Sequence, residues 1–125
     1  MYNIISEFSD VRQDNRILKI NQGDSFVLPV KFTIHTKGIH NEDIDINIPE
    51  KWKIRVEIKR DPRFVNNILE FEYTNIKNNI VYIEFKGEDT MLLRDGVDYV
   101  LKAKLYDEND EMCYDLIHNM KIKVG

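Results

Sequence analysis

From residue 17 onward, apolar and polar side chains alternate with a period of two in one segment after another. Phe26, Leu28, Val30, Phe32 and Ile34 form one set; Ser25, Val27, Pro29, Lys31 and Thr33 form the other. One apolar face and one mostly polar face are what a half-buried strand requires. Pro29 falls in the outward set and cannot donate to a ladder, so the spacing predicts an edge strand or a bulge there. Asn21-Gln22-Gly23-Asp24 reads as a turn, with Ile17–Ile20 as the short strand before it. Trp52, Ile54, Val56 and Ile58 alternate with Lys53, Arg55, Glu57 and Lys59. A helix would spread those charges around its circumference and bury some of them. As a strand, the segment sets Trp52 centrally between two sheets and the four charges outside. Ile44, Ile46 and Ile48 alternate until Pro49 stops them.

Leu69, Phe71 and Tyr73 alternate with Glu70, Glu72 and Thr74, and Asn78-Asn79 turns the chain into a partner strand, Ile80–Phe85. The run Lys86 to Leu93 breaks the period, and Asp89 or Thr90 can cap one helical turn that plugs the core with Met91 and Leu92. Asp95-Gly96 signals a turn. Tyr99, Leu101, Ala103 and Leu105 then share a face, as do Met112, Tyr114, Leu116, Met120, Ile122 and Val124. His118 takes the inward parity unless a bulge intervenes near Leu116-Ile117. Seven or eight short strands, turn signals between them and no βαβ rhythm imply an all-β fold, an antiparallel two-sheet sandwich with one short helical turn. A small closed barrel is the main alternative. Residues 1–14 show no convincing period and read as an N-terminal arm or first edge segment ahead of one domain over 15–125.

The chain has 125 residues, enough for one domain that needs no disulfide or metal staple. Eighteen basic against 22 acidic residues give a net charge of −4, which argues against a general nucleic-acid binder. Cys113 is the one cysteine, so an intrachain disulfide and multi-cysteine zinc patterns are excluded. No apolar run is long enough for a transmembrane helix, and Met1–Glu7 lacks the regions of a signal peptide.

Candidate chemistry is thin. His35 and His40 near Glu42 and Asp43 could ligate zinc if the loop folded back, but a loop lacks the rigidity such a site wants. Asp107, Asp110 and Glu111 lack the spacing that wraps oxygens around calcium. Cys113 and His118 differ in strand parity, which disfavours a nucleophile–base pair. Glu70, Glu72 and Glu84 lie on the solvent side of their strands; a glycosidase needs two carboxyls held ~5–10 Å apart, which many sheet faces offer by accident. No phosphate-binding glycine loop and no nucleophile elbow are present. No cofactor is expected. Tyr82 and Tyr106 fall opposite their strands' apolar sets and are the best candidates for exposed aromatics that hold a partner, while Tyr114 reads as core.

The order of features adds a context. Ile20-Asn21-Gln22-Gly23-Asp24-Ser25-Phe26 opens a long alternating strand. A Trp-centred strand, a hairpin, Gly87–Tyr99 with its Asp89-Thr90 and Gly96-Val97-Asp98-Tyr99, and a closing hairpin from Lys104 to Val124 follow. Over residues 17–124 this resembles the N-terminal domain of bacteriophage baseplate upper proteins and related small immunoglobulin-like phage virion modules. The resemblance implies a sandwich in which these motifs shape turns, and a place in a virion beside other virion proteins or further copies of the chain. Baseplate upper proteins carry a receptor-binding region after this domain; here Gly125 follows the last strand, so docking or bridging is expected rather than receptor binding.

The expected function is therefore that of a non-enzymatic structural protein docking on a tail or baseplate assembly, with capsid decoration or a head-fibre adaptor as the alternative. Tyr2, Ile4, Ile5, Phe8 and Val11 would form the docking arm, together with Tyr82 and Tyr106 as exposed contacts. Neither nucleic acid nor membrane is expected as a partner. A carbohydrate-binding module using Tyr82, Tyr106 and Trp52 is the competing class.

Overall fold

Nearly every period-two segment becomes a strand in the computed structural model, which describes residues 3–8, 13–14 and 17–125. For residues 3–8, 13–14, 34–37, 43, 45, 46 and 113 it describes the backbone alone. In chain order the described strands are β1 (Asn3–Phe8), β2 (Gln13–Asp14), β3 (Ile17–Ile20), β4 (Phe26–Lys37), β5 (Asp43–Ile46), β6 (Lys53–Lys59), β7 (Leu69–Tyr73), β8 (Ile80–Phe85), β9 (Asp98–Tyr106) and β10 (Met112–Val124). A single turn of helix, α1 (Gly87–Thr90), lies between β8 and β9.

Two sheets share these strands. In the first, β1 pairs with one flank of β4, while β8 and β5 follow one another along the opposite flank. The second runs β2-β3-β10-β9-β6-β7. All pairings are antiparallel except β3 with β10, which is parallel from Ile17↔Lys121 to Ile20↔Val124. The expected antiparallel sheets are present with this one exception, and ten strands are described where seven or eight were expected. The additional strands are β1 and β2, in the stretch whose sequence shows no convincing period.

One apolar core lies between the sheets. Leu28, Val30, Phe32, Val81, Ile83 and Phe85 enter it from the first; Leu18, Ile54, Val56, Ile58, Leu101, Ala103, Leu105 and Ile122 enter it from the second. Phe85 stacks on Phe26 with ring centroids 4.7 Å apart and meets the edge of Phe71 across the sheets at 5.5 Å. Burying one such aromatic side chain stabilises the fold by roughly 1.5–3 kcal/mol.

Several local expectations change for physical reasons. β4 is flanked on both sides, so Pro29 marks no edge strand. Phe32 N donates toward β8, to Asn79 O, and alternation therefore turns the Pro29 nitrogen toward β1. There, the described β1 pairing stops at Phe8↔Val30, and the missing donor breaks no rung of it. Trp52 precedes β6 and is half-buried at the margin of the core rather than central. Glu57, expected outside, is only 8% exposed, because β7 and β9 flank it and Lys104 Nζ reaches its carboxylate at 3.3 Å. His118 is exposed: register shifts in β10 between Asp115 and Ile117 and between Ile117 and Met120 reset the parity, and both Leu116 and Ile117 are buried.

The helical turn forms, but Leu93 and Thr90 plug the core, while Met91 and Leu92 are more than half exposed. Asp89 accepts the Lys86 N–H at 2.9 Å, and the Thr90 hydroxyl donates to Asp24 O at 2.7 Å, which ties α1 to the β3–β4 turn. Tyr99, 3% exposed at the start of β9, folds its hydroxyl back to accept the Arg94 N–H at 2.8 Å.

Candidate interaction surfaces

Of the residues singled out for partner binding, Tyr2 and Val11 lie outside the described residues. Ile4, Ile5 and Phe8 belong to β1 and stand opposite Ile34, Thr33 and Val30 of β4; their side chains are outside the description. Tyr82 is 59% exposed on the outer face of the first sheet, opposite Pro29 and diagonal to the 44%-exposed Val27. Tyr106 is half-buried on the second sheet, with the Arg55 guanidinium 4.7 Å from its ring centroid.

Arg55 organises that second face. Its guanidinium meets Glu72 at 3.2 Å and Glu70 at 3.3 Å across the β6–β7 pair, and Lys53 joins Glu72 to Asp110. Burial works against the Arg55 charge, but the hydrogen bond to Glu72 and the fields of Tyr106, Glu72 and Glu70 outweigh it, so its pKa lies above the ordinary value. The bond to Lys53 lowers the Asp110 pKa, and the same bond raises that of Lys53. Charges matched in this way leave little unbalanced field for a highly charged partner.

The two ends of the sandwich differ. One end gathers the β3–β4 turn, the β6–β7 loop (60–68) and the α1 segment (86–97), because β6, β8 and β10 finish where β4 and β9 begin. Phe64, Val65 and Ile68 are 53%, 88% and 36% exposed on the β6–β7 loop, and Met91 and Leu92 are exposed on the α1 segment at the same end. These residues sit on loops fixed by hydrogen bonds. Lys59 Nζ donates to Phe64 O and Val65 O, Arg63 clamps Asp61 through two side-chain bonds of 2.9 Å, and Gln22 Nε2 donates to Met91 O at 3.0 Å. Bonding to Arg63, first through its guanidinium and then through its N–H, holds the Asp61 carboxyl down at about 2.

At the opposite end, the β5–β6 and β7–β8 connections border a groove of about 330 Å³. Asn79, 7% exposed, fastens the connections together: its Oδ1 accepts the Ile48 N–H at 2.6 Å and its carbonyl accepts the Phe32 N–H at 2.7 Å. The acidic tip beside it is committed to its own turn, since Asp107 Oδ1 accepts N–H groups from Asn109 and Glu111. Asp110 is held by Lys53. Among the described residues, no group of three or more His, Cys, Asp or Glu is placed to hold a metal ion. The side chains of His35, Asp43 and Cys113 fall outside the description, while His40 and Glu42 are exposed.

Sequence reasoning missed the loop residues Phe64, Val65 and Ile68. Their only signal is apolar residues in a stretch without period, between Pro62 and the next strand. It also missed Arg55 over Tyr106, a pairing that needs the β6–β9 register, and the asparagine-rich groove, whose residues read only as turn formers. No helix among the described residues is long and apolar enough to cross a membrane. No protein-family model matches this chain, and no curated protein matches it.

Proposed function

We propose that this chain is a non-enzymatic docking module of a bacteriophage virion, an immunoglobulin-like sandwich that seats one end on a neighbouring protein subunit. The observation that carries the docking reading is the rigidly held apolar end. Phe64 and Val65 are exposed on a loop pinned by Lys59, and Met91 and Leu92 follow a helical turn pinned by Thr90 and Gln22. Exposed apolar residues on preorganised loops bind with little ordering cost and mark contact sites.

Three features support the immunoglobulin-like assignment. Strands β1, β4 and β8 share one sheet and β6, β7, β9 and β10 the other. A helical turn precedes β9. The Tyr99 hydroxyl bonds back to the backbone at Arg94, in the manner of the tyrosine corner of such folds. The virion context rests on the resemblance in motif order over residues 17–124. The N-terminal arm enters in a modified form. Asn3–Phe8 is already paired with β4, so a neighbour's strand would add to the outer edge of β1, the end strand of the described sheet.

Mass spectrometry of purified particles tests the proposal. The chain should be present in a fixed ratio to a ring-forming component, and Phe64→Ser with Val65→Ser should fold normally yet be lost from particles. Particles without the native chain, or with undiminished variant, overturn it.

A further inference from the structure

We infer that the groove between the β5–β6 and β7–β8 connections binds one sugar unit of a glycan through its asparagine carboxamides. Its volume of about 330 Å³ lies at the small end of the ~300–1,000 Å³ typical of ligand sites. Asn47 stands on one wall; Asn75 and Asn78 stand on the other, and all three are exposed. A carboxamide both donates and accepts hydrogen bonds, as does each hydroxyl of a sugar. Glu50 and Lys77 contribute one charge of each sign, so the lining carries no net charge and selects neither a phosphate nor a cation. Ile76, half-buried, supplies apolar surface that the C–H face of a pyranose can cover, above the buried Ile48.

The walls are set before any ligand arrives. Asn79 ties Ile48 of one wall to the turn of the other and to β4. Left-handed backbone at Asn75, Asn78 and Asn79 (φ +53°, +57° and +55°) shapes the second wall, a conformation asparagine tolerates better than most residues. The groove lies at the end opposite Phe64 and Met91, so a chain seated by its apolar end would present it outward.

Trp52 provides the readout. It is the only tryptophan, and its backbone N–H donates to Pro49 O at 3.0 Å in the turn that carries Glu50. The full chain is titrated with chitotriose and with maltotriose, following Trp52 fluorescence and amide NMR shifts. A saturable response to at least one sugar is expected, with shifts clustered at residues 47–50 and 75–78. Asn47→Ala and Asn78→Gly should each weaken binding by about tenfold, the loss of roughly one hydrogen bond. Glycine accepts the φ of +57° at position 78, so the second variant removes the carboxamide and keeps the turn. No saturable response to either sugar well above the millimolar range overturns the inference. Undiminished binding by both variants overturns it too, since the sugar would then sit elsewhere, as on the Tyr82 face.

Discussion

The Tyr73 hydroxyl accepts a hydrogen bond from the Glu84 backbone N–H at 3.1 Å and so joins an edge of one sheet to an edge of the other. The β4–β8 ladder directs the Glu84 N–H away from β4, into the row of groups that an edge strand leaves open. Tyr73 ends β7, the last strand of the second sheet. One phenol therefore fills an open donor that would otherwise invite another chain.

Tyr73→Phe should lower stability by about 1 kcal/mol, the usual net worth of one hydrogen bond, and speed amide exchange at Glu84. Burial raises the Tyr73 pKa, against the opposing pull of the Glu84 N–H. The folded phenol thus ionises later than the unfolded one. Its contribution is complete below the unfolded value near ~10 and is lost as pH rises through the folded value. Urea midpoints measured from neutral to alkaline pH should fall more steeply for the native chain than for the variant.

Tyr99→Phe should be the more damaging tyrosine change. The ring is 3% exposed and the acceptor of the partly buried Arg94 N–H disappears, so a loss of about 1–3 kcal/mol is expected. Chemical denaturation should show a lower midpoint with an unchanged slope.

Asn79 can be separated into its two roles. Asn79→Gly keeps the φ of +55° but removes the acceptor for the buried Ile48 N–H, at a cost of about 1–3 kcal/mol. Asn79→Ala also forces a side chain into left-handed backbone and should cost roughly 1 kcal/mol more. Equal losses in thermal unfolding would show that the turn conformation contributes nothing.

Asp61 should titrate at about 2 in an NMR pH series, below its ordinary 3.8, and return toward 3.8 in Arg63→Ala. Because the folded value is depressed, the stabilisation exists above the unfolded value and is lost as pH falls through about 2. Loop resonances around Phe64 should shift over that acid range and remain unchanged near neutrality.

Strand content was legible because alternation survives wherever one face is buried, as in Phe26–Phe32, Lys53–Ile58 and Tyr99–Leu105. Bulges erase the signal: His118 could be assigned only conditionally because β10 slips register twice around it. Pairing partners were not legible, since the parallel β3–β10 ladder joins residues about a hundred positions apart through backbone groups common to all sequences. The helical turn was visible, but which of Met91, Leu92 and Leu93 enters the core depends on how α1 meets the β3–β4 turn through Thr90 and Asp24. The candidate surfaces were the least legible, because loops from separated parts of the chain meet only once the sheets have closed.

The parallel β3–β10 pair has a mechanical consequence. Ile17 and Val124 mark opposite ends of that short ladder. Tension applied ahead of β3 and behind β10 would slide the two strands past one another and strain their cross-links together. An antiparallel hairpin pulled at its open end unzips rung by rung instead. A chain held on both sides of this ladder would resist extension at this seam.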